Sequence, residues 1–125
     1  MREITSQAHL ELCVLDPYIS PILFDPSEDF ARVGVLRIIT ADTVDRATVL
    51  AYTTFRNQYP KAEMRVLGKD RIHDRFILWD GAHGVHLGHS VKDLGKKDTQ
   101  LNVLAVPLEQ YRLFEERWAA AKGVA

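Results

Sequence analysis

The segment IHDRFILWD, residues 72–80, decides how this chain is interpreted. It contains a histidine, an arginine two positions later, and an aspartate five positions beyond the arginine. Alternate residues of a β-strand project from the same face of a sheet, so His73 and Arg75 are predicted to point into one site. A histidine beside a fixed positive charge is suited to binding phosphate, because charge-assisted hydrogen bonds to phosphate oxygens are strong.

A second stretch, VHLGHSVKD at residues 85–93, supplies further polar groups soon after the first. Ser90 can cap a short helix that ends near Gly95, and the free N–H groups at a helix start can hold an anion. Together with Arg75, five residues of this stretch are candidates for phosphate binding: His86, Gly88, His89, Ser90 and Lys92.

Length and composition indicate an ordinary globular domain. The chain has 125 residues, 46% of them hydrophobic and 26% charged, so a single domain over residues 1–125 is expected. No apolar run approaches the roughly 20 residues of a transmembrane helix. The N-terminal residues lack the layout of a secretory signal, and the single cysteine cannot form an internal disulfide. We therefore expect an intracellular, cytoplasmic protein.

The charge of the chain is unevenly distributed. The net charge is −1, which gives no general attraction to nucleic acid or anionic lipid. Between Lys61 and Lys97, however, eight cations stand against five acids. This region contains both motif stretches, so the candidate site lies in the cationic part of the chain. A solvated surface of paired charges explains such a cluster equally well.

The pattern of apolar residues predicts an α/β fold, a mixed sheet of about six strands with helices packed on it. The nearly all-apolar run Val33–Thr40 is predicted to be a central strand covered on both faces. A helix capped by Asp42 or Thr43 is predicted to follow it, and a final helix is predicted to begin at Pro107 and to be closed by Gly123. The other predicted strands cover residues 9–16, 62–67, 72–79, 85–87 and 101–106.

The spacing of histidine, cation and aspartate resembles the HxKxxxxD signature of the phospholipase D superfamily, with Arg75 at the lysine position. The turn at residues 88–90 falls about where that family has a phosphate-binding turn. Asp16-Pro17-Tyr18 is similar to a turn that members often have after their first strand. The resemblance covers about residues 9–106 and is specific over residues 73–97. It implies a phospholipase D-like half with the histidine strand near the centre of the sheet.

The resemblance implies a phosphodiesterase that needs neither a metal ion nor a cofactor. In the family one histidine attacks phosphorus, a second protonates the leaving group, and water resolves the phosphohistidine. Carried over, His73 is the nucleophile or acid, Arg75 the phosphate clamp, and Asp80 the residue that holds an imidazole or the local turn. Because this chain has one motif, an active form is expected to be a homodimer with the motifs meeting at the interface. The expected phosphodiester is nucleic acid rather than lipid.

A second interpretation is a non-catalytic module that binds phosphate groups of nucleic acid or lipid, or mediates protein contacts within a larger assembly. Arg75 replaces the family's lysine, and His89 and Val91 stand where serine and asparagine are usual. His86 stands where active members often have a carboxylate. The sequence therefore leaves open whether the domain is an enzyme. A third interpretation is a purely structural or dimerisation domain.

Two residue patterns have simpler explanations. His83, His86 and His89 recur every three residues, and zinc takes imidazole ligands. Their spacing is not that of a closed structural zinc site, and no second cysteine is available, so no metal is predicted. Tyr18 and Trp79 are interpreted as core or rim residues rather than platforms for base stacking.

Overall fold

A computed structural model describes residues 10–24, 34–87, 101–105 and 107–124. It confirms a mixed sheet with helices packed on it, with strands in the order β6-β5-β4-β1-β2-β3-β7. The strands are β1 Glu11–Leu15, β2 Val35–Ala41, β3 Ala62–Leu67, β4 Phe76–Trp79, β5 His83–Leu87, β6 Leu101–Val103 and the two-residue β7 Lys122–Gly123. The α-helices are α1 Arg46–Gln58 and α2 Leu108–Ala120, and short 3-10 helices cover Pro21–Phe24 and Lys69–Arg71.

The predicted central strand lies inside the sheet. β2 runs between β1 and β3 and is parallel to both, and five of its seven residues are buried. β4 pairs with the other side of β1 and is antiparallel to it, and β5 and β6 continue the antiparallel pairing. Parallel neighbours need a crossover connection, which α1 provides between β2 and β3.

The core consists of two apolar layers, one on each face of the sheet. On the α1 face, Tyr52 and Phe55 of the helix pack on strand side chains. On the α2 face, the fully buried Phe114 packs on the opposite set of strand side chains. The α1 face includes Leu12, Val14, Leu36, Ile38, Met64, Ile77, Trp79, Val85 and Leu87, and the α2 face includes Cys13, Leu15, Ile39, Ala41, Phe76 and Leu78. Neighbouring residues of each strand thus enter opposite layers, as a two-residue period requires.

Charged side chains on the α2 face are paired around Trp118. Arg37 forms ion pairs with Glu11, at 3.1 Å, and with Glu115. Arg65 donates a 2.8 Å hydrogen bond to the backbone carbonyl of Trp118. The guanidinium carbons of Arg37 and Arg65 lie 5.3 and 4.1 Å from the centroid of the Trp118 ring. Cation–π contacts therefore help to hold α2 on the sheet.

The first helix begins later than predicted. Asp45 is its N-cap, because its carboxylate accepts hydrogen bonds of 2.8 and 2.6 Å from the backbone N–H and the hydroxyl of Thr48. The prediction of Asp42 or Thr43 as the cap was wrong. The N–H of Asp42 still donates a 2.8 Å hydrogen bond to the carbonyl of Leu67. Asp42 therefore still takes part in the pairing of β2 with β3 and precedes the start of the helix.

The motif strand is shorter than the predicted Ile72–Trp79, since β4 begins at Phe76. β1 stops pairing with β4 at Leu15, where the chain turns away. Pairing with β5 reaches one residue further, because the carbonyl of Arg75 accepts the N–H of Leu87 at 2.9 Å. His73 and Arg75, the first two residues of the motif, therefore lie just before β4.

The C-terminal part differs from expectation at one point. Pro107 immediately precedes α2, as predicted for the start of the final helix. Gly123 does not close that helix, because the backbone is already extended at Ala121 and Gly123 lies in β7, paired with β3. The helix expected over residues 90–95 lies outside the described residues. No helix in the described ranges is long and apolar enough to cross a membrane.

Candidate functional site

One edge of the sheet brings the motif together with several connecting segments. β1, β2 and β3 are parallel, so their C-terminal ends lie at the same edge, and the N-terminal end of the antiparallel β4 lies there too. We call this the motif edge. It carries residues 16–18 after β1, residues 68–71 after β3 and residues 73–75 before β4. Crevices at the C-terminal ends of strands are where open α/β sheets usually bind ligands.

His73 and Arg75 are directed to the same side of the motif edge. Ile72 and Phe76 are buried in the α2 layer, and Asp74 forms a 3.7 Å ion pair with Arg117 of α2. The even-numbered residues of this segment thus face α2. Alternation leaves the odd-numbered His73 and Arg75 on the other side, where His73 is exposed and Arg75 half-buried.

Tyr18 links Arg75 to a second cation. The guanidinium carbon of Arg75 lies 5.3 Å from the centroid of the Tyr18 ring, and the ammonium of Lys69 lies 5.1 Å from the same centroid. The fully buried Asp16 fixes the turn, because its carboxylate accepts the N–H of Tyr18 at 2.8 Å. Neither Lys69 nor Tyr18 was predicted as a site residue. The Asp-Pro-Tyr turn directly after an apolar strand is the sequence signal that points to this position.

His86 lies on the other face of the sheet from Arg75. It is paired with Phe76, and directly paired residues project from the same face, which here is the α2 face. His83 projects from the α1 face and stacks on Trp79, with ring centroids 5.6 Å apart. The structure therefore separates these two imidazoles. In the described part of the chain, no three or more histidine, cysteine, aspartate or glutamate residues are grouped as metal ligands.

Asp80 lies at the opposite end of β4 from His73. It occupies the hairpin turn before β5, where Asp80 and Gly81 both have positive φ angles, of 54° and 74°. Its carboxylate accepts hydrogen bonds from the backbone N–H groups of Leu10, at 2.8 Å, and Glu11, at 3.2 Å. Asp80 therefore fastens the start of β1 to the hairpin and is not brought together with His73.

The remaining candidates follow β5. Gly88, His89, Ser90 and Lys92 lie outside the described residues. The last residue of β5, Leu87, donates to the carbonyl of Arg75, so the chain leaves β5 at the motif edge.

Comparison with solved structures shows the same fold in two proteins of low sequence identity. Nuc from Salmonella typhimurium, described as a phospholipase D family member, matches with a TM-score of 0.72 at 14% identity, over 98% of this chain and 87% of its own. TrmBL2, described as an archaeal chromatin protein with a novel mode of DNA binding, matches with a TM-score of 0.67 at 16% identity, over 98% of this chain. The chain spans about half of TrmBL2, 48% of its length. No protein-family model and no curated protein gives a significant match to the sequence.

The topology and the motif edge define an α/β domain with its candidate site at one end of a mixed sheet. Its fold is phospholipase D-like, as the sequence predicted.

Proposed function

We propose that this chain binds a phosphodiester of nucleic acid at the motif edge and hydrolyses it as a homodimer, without a metal ion. The observation that carries the proposal is that Ile72, Asp74 and Phe76 are directed to α2, so that alternation leaves His73 and Arg75 for the other side of this edge. An imidazole nucleophile and a guanidinium that can bind the non-bridging oxygens of a phosphate would then serve one site.

In the proposed reaction a ring nitrogen of His73 attacks phosphorus and the phosphorus–oxygen bond to the leaving group breaks. His73 of the partner subunit gives its proton to the departing oxygen. The same imidazole then takes a proton from water, which attacks the phosphohistidine and releases His73. Arg75 stabilises the negative charge on the phosphoryl oxygens throughout.

The second subunit is proposed because the reaction needs two imidazoles. Among the described histidines, His83 starts β5 at the hairpin end and His86 projects from the α2 face, so neither is beside His73 and Arg75. A two-fold axis at the motif edge would supply the missing histidine. The phosphate-binding roles of Gly88, His89, Ser90 and Lys92 stay predictions, as does a cytoplasmic location.

The two neighbours support the substrate class. One is described as a phospholipase D family member and the other as a chromatin protein that binds DNA. The first description favours phosphodiester chemistry, and the second favours a nucleic-acid ligand.

The alternative proposal is a non-catalytic module that binds phosphate groups or mediates protein contacts. Asp80 favours it, because the motif aspartate is engaged with the start of β1 and lies at the other end of the strand from His73. His86 also favours it, because it stands where active family members often have a carboxylate and it projects from the α2 face. His73 therefore has no carboxylate partner from this position.

The test compares wild type, His73→Ala and Arg75→Ala for hydrolysis of bis(p-nitrophenyl) phosphate with and without EDTA, and for binding of labelled single-stranded DNA. His83→Ala, at the far end of β5, is the matched histidine control, and Arg56→Ala on α1 is the matched arginine control. Chelator-resistant hydrolysis that both site variants lose, together with a dimer by light scattering, supports the enzyme. DNA binding that only Arg75→Ala loses, with no turnover in any protein, supports the binding module. Equal behaviour of all five proteins contradicts both proposals.

A further inference from the structure

The ring of Tyr18 holds two cations at the motif edge. The charged groups of Lys69 and Arg75 each lie about 5 Å from its centroid, so their separation cannot exceed the two distances together. Tyr18 is 39% exposed, so this arrangement faces solvent at the side where a ligand would enter. Two regions distant in sequence meet in this contact, namely the turn after β1 and the segment between β3 and β4, which contains both Lys69 and Arg75.

These two cations differ from the arginines on the α2 face. Arg37, Arg65 and Arg117 each have a carboxylate partner. Within the described residues, neither Lys69 nor Arg75 forms an ion pair. Two like charges near one another repel, and the π-face of the ring offsets only part of that cost. An incoming ligand with two negative charges would neutralise both cations together.

We propose that Lys69 binds a second phosphate beside the one bound by Arg75, and that Tyr18 is a positioning residue that fixes the spacing of the two. The preferred ligand is then a nucleic-acid strand with consecutive phosphates, not a single isolated phosphodiester. This inference rests on the proposed function, since it assigns Arg75 to the first phosphate, and it narrows the substrate class for that site.

Tyr18 can fix the spacing of the two cations because Asp16 holds the turn in which Tyr18 lies. Asp16 is fully buried and accepts the N–H of Tyr18, which limits where the ring can move. A preorganised pair of cations loses less conformational entropy on binding than two independent long side chains. Removing the ring should therefore weaken binding of a strand even though Tyr18 itself carries no charge.

The test measures dissociation constants for two probes, the dinucleotide TpT with one phosphodiester and a thymidine pentanucleotide with four. Lys69→Gln should weaken pentanucleotide binding by about fivefold to tenfold, lower the slope of log K against log salt by about one, and leave TpT binding unchanged. Arg75→Gln should weaken binding of both probes. Lys61→Gln, an exposed lysine at the opposite edge before β3, is the matched control and should behave like wild type.

Tyr18 is tested with two substitutions. Tyr18→Phe keeps the ring and should bind the pentanucleotide like wild type, whereas Tyr18→Leu should resemble Lys69→Gln. Circular dichroism melts of both variants separate a loss of binding from a loss of folding.

The possible failures are distinguishable. If Arg75→Gln binds TpT as wild type does, or if wild type binds neither probe, the proposed function fails and this inference with it. If Arg75→Gln loses both probes but Lys69→Gln matches Lys61→Gln, only the second phosphate site is wrong. Binding to vesicles that contain phosphatidylinositol phosphates, lost in Lys69→Gln while pentanucleotide binding is kept, would also overturn it.

Discussion

The carboxylate of Asp80 accepts a 2.8 Å hydrogen bond from the backbone N–H of Leu10, a residue seventy positions earlier in the chain. The same side chain accepts the N–H of Glu11. The motif aspartate therefore closes the end of the β1–β4 pair that lies away from the motif edge.

The first prediction concerns this contact. Asp80→Gly removes the acceptor but suits the positive φ of the turn, whereas Asp80→Asn keeps an acceptor oxygen and also tolerates that φ. Asp80→Gly should lower the free energy of unfolding by about 1–3 kcal/mol and Asp80→Asn by less, as measured by urea denaturation. Equal stability of the two variants would mean that the carboxylate bonds contribute little.

The second prediction concerns the packing of β5 against Leu78 of β4 and Leu104, which follows β6. A Cβ atom at Gly84 would lie 2.7 Å from a methyl carbon of Leu78 and 2.9 Å from one of Leu104. Gly84→Ala should therefore cost about 1–3 kcal/mol of stability through overpacking. Gly123→Ala is the control, because a Cβ there meets nothing within 4 Å. A melting temperature for Gly84→Ala that equals the control's would contradict the packing.

The third prediction concerns the charges beneath α2. The side chain of Arg37 is only 16% exposed, so Arg37→Met leaves Glu11 without its partner and should cost about 2 kcal/mol in urea denaturation. Arg112 pairs with Glu109 and Glu116 on the exposed surface of α2, and Arg112→Met should leave the stability nearly unchanged. Similar effects of both substitutions would show that burial of the Arg37 network is unimportant.

The fourth prediction is a loss of stability at alkaline pH. Burial raises the pKa of the Cys13 thiol and of the Tyr111 hydroxyl well above their usual ranges. The folded chain keeps both protons while the unfolded chain releases them, at about pH 8.5 for cysteine and about pH 10 for tyrosine. Stability from both groups is therefore complete below those values and is lost progressively as the pH rises above them toward the pKa values of the folded chain.

Urea midpoints between about pH 8 and about pH 10.5 measure this loss. Cys13→Ala and Tyr111→Phe should each flatten the decline above the corresponding unfolded-state pKa. If the urea midpoints of both variants fall with pH as steeply as those of wild type, other groups cause the loss of stability at alkaline pH.

The sequence predicted those features that depend on local alternation. The apolar run of β2 indicated a strand covered on both faces, and the structure agrees. The spacing of His73 and Arg75 indicated a shared side, and the alternate residues Ile72, Asp74 and Phe76 are directed to α2. Features that depend on register could not be predicted. The face occupied by His86 follows from its pairing with Phe76, and a strand shifted by one residue would have reversed it.

Long-range contacts explain the other features that the sequence analysis did not predict. Tyr18 is separated from Lys69 and Arg75 by β2, α1 and β3 in the chain, and only the assembled sheet brings it to these two cations. The hydrogen bonds from Asp80 to the start of β1 likewise have no local sequence signal. Asp42 and Asp45 are both suitable caps by residue type, and the length of β2 decides between them.

The pairing of β1 on both sides has a consequence for how the chain folds during synthesis. Leu12 pairs with Leu36 on one side and with Trp79 on the other, so β1 acquires its second neighbour only after α1, β3 and β4 have also left the ribosome. Until then a strand with four buried apolar residues has one open edge, which can pair with other chains. The arrival of the motif strand closes that edge. The closing of this open side of β1 and the assembly of the motif edge are therefore one event, because residues 73–75 immediately precede β4 and arrive with it. A nascent chain without this pairing has no complete motif edge.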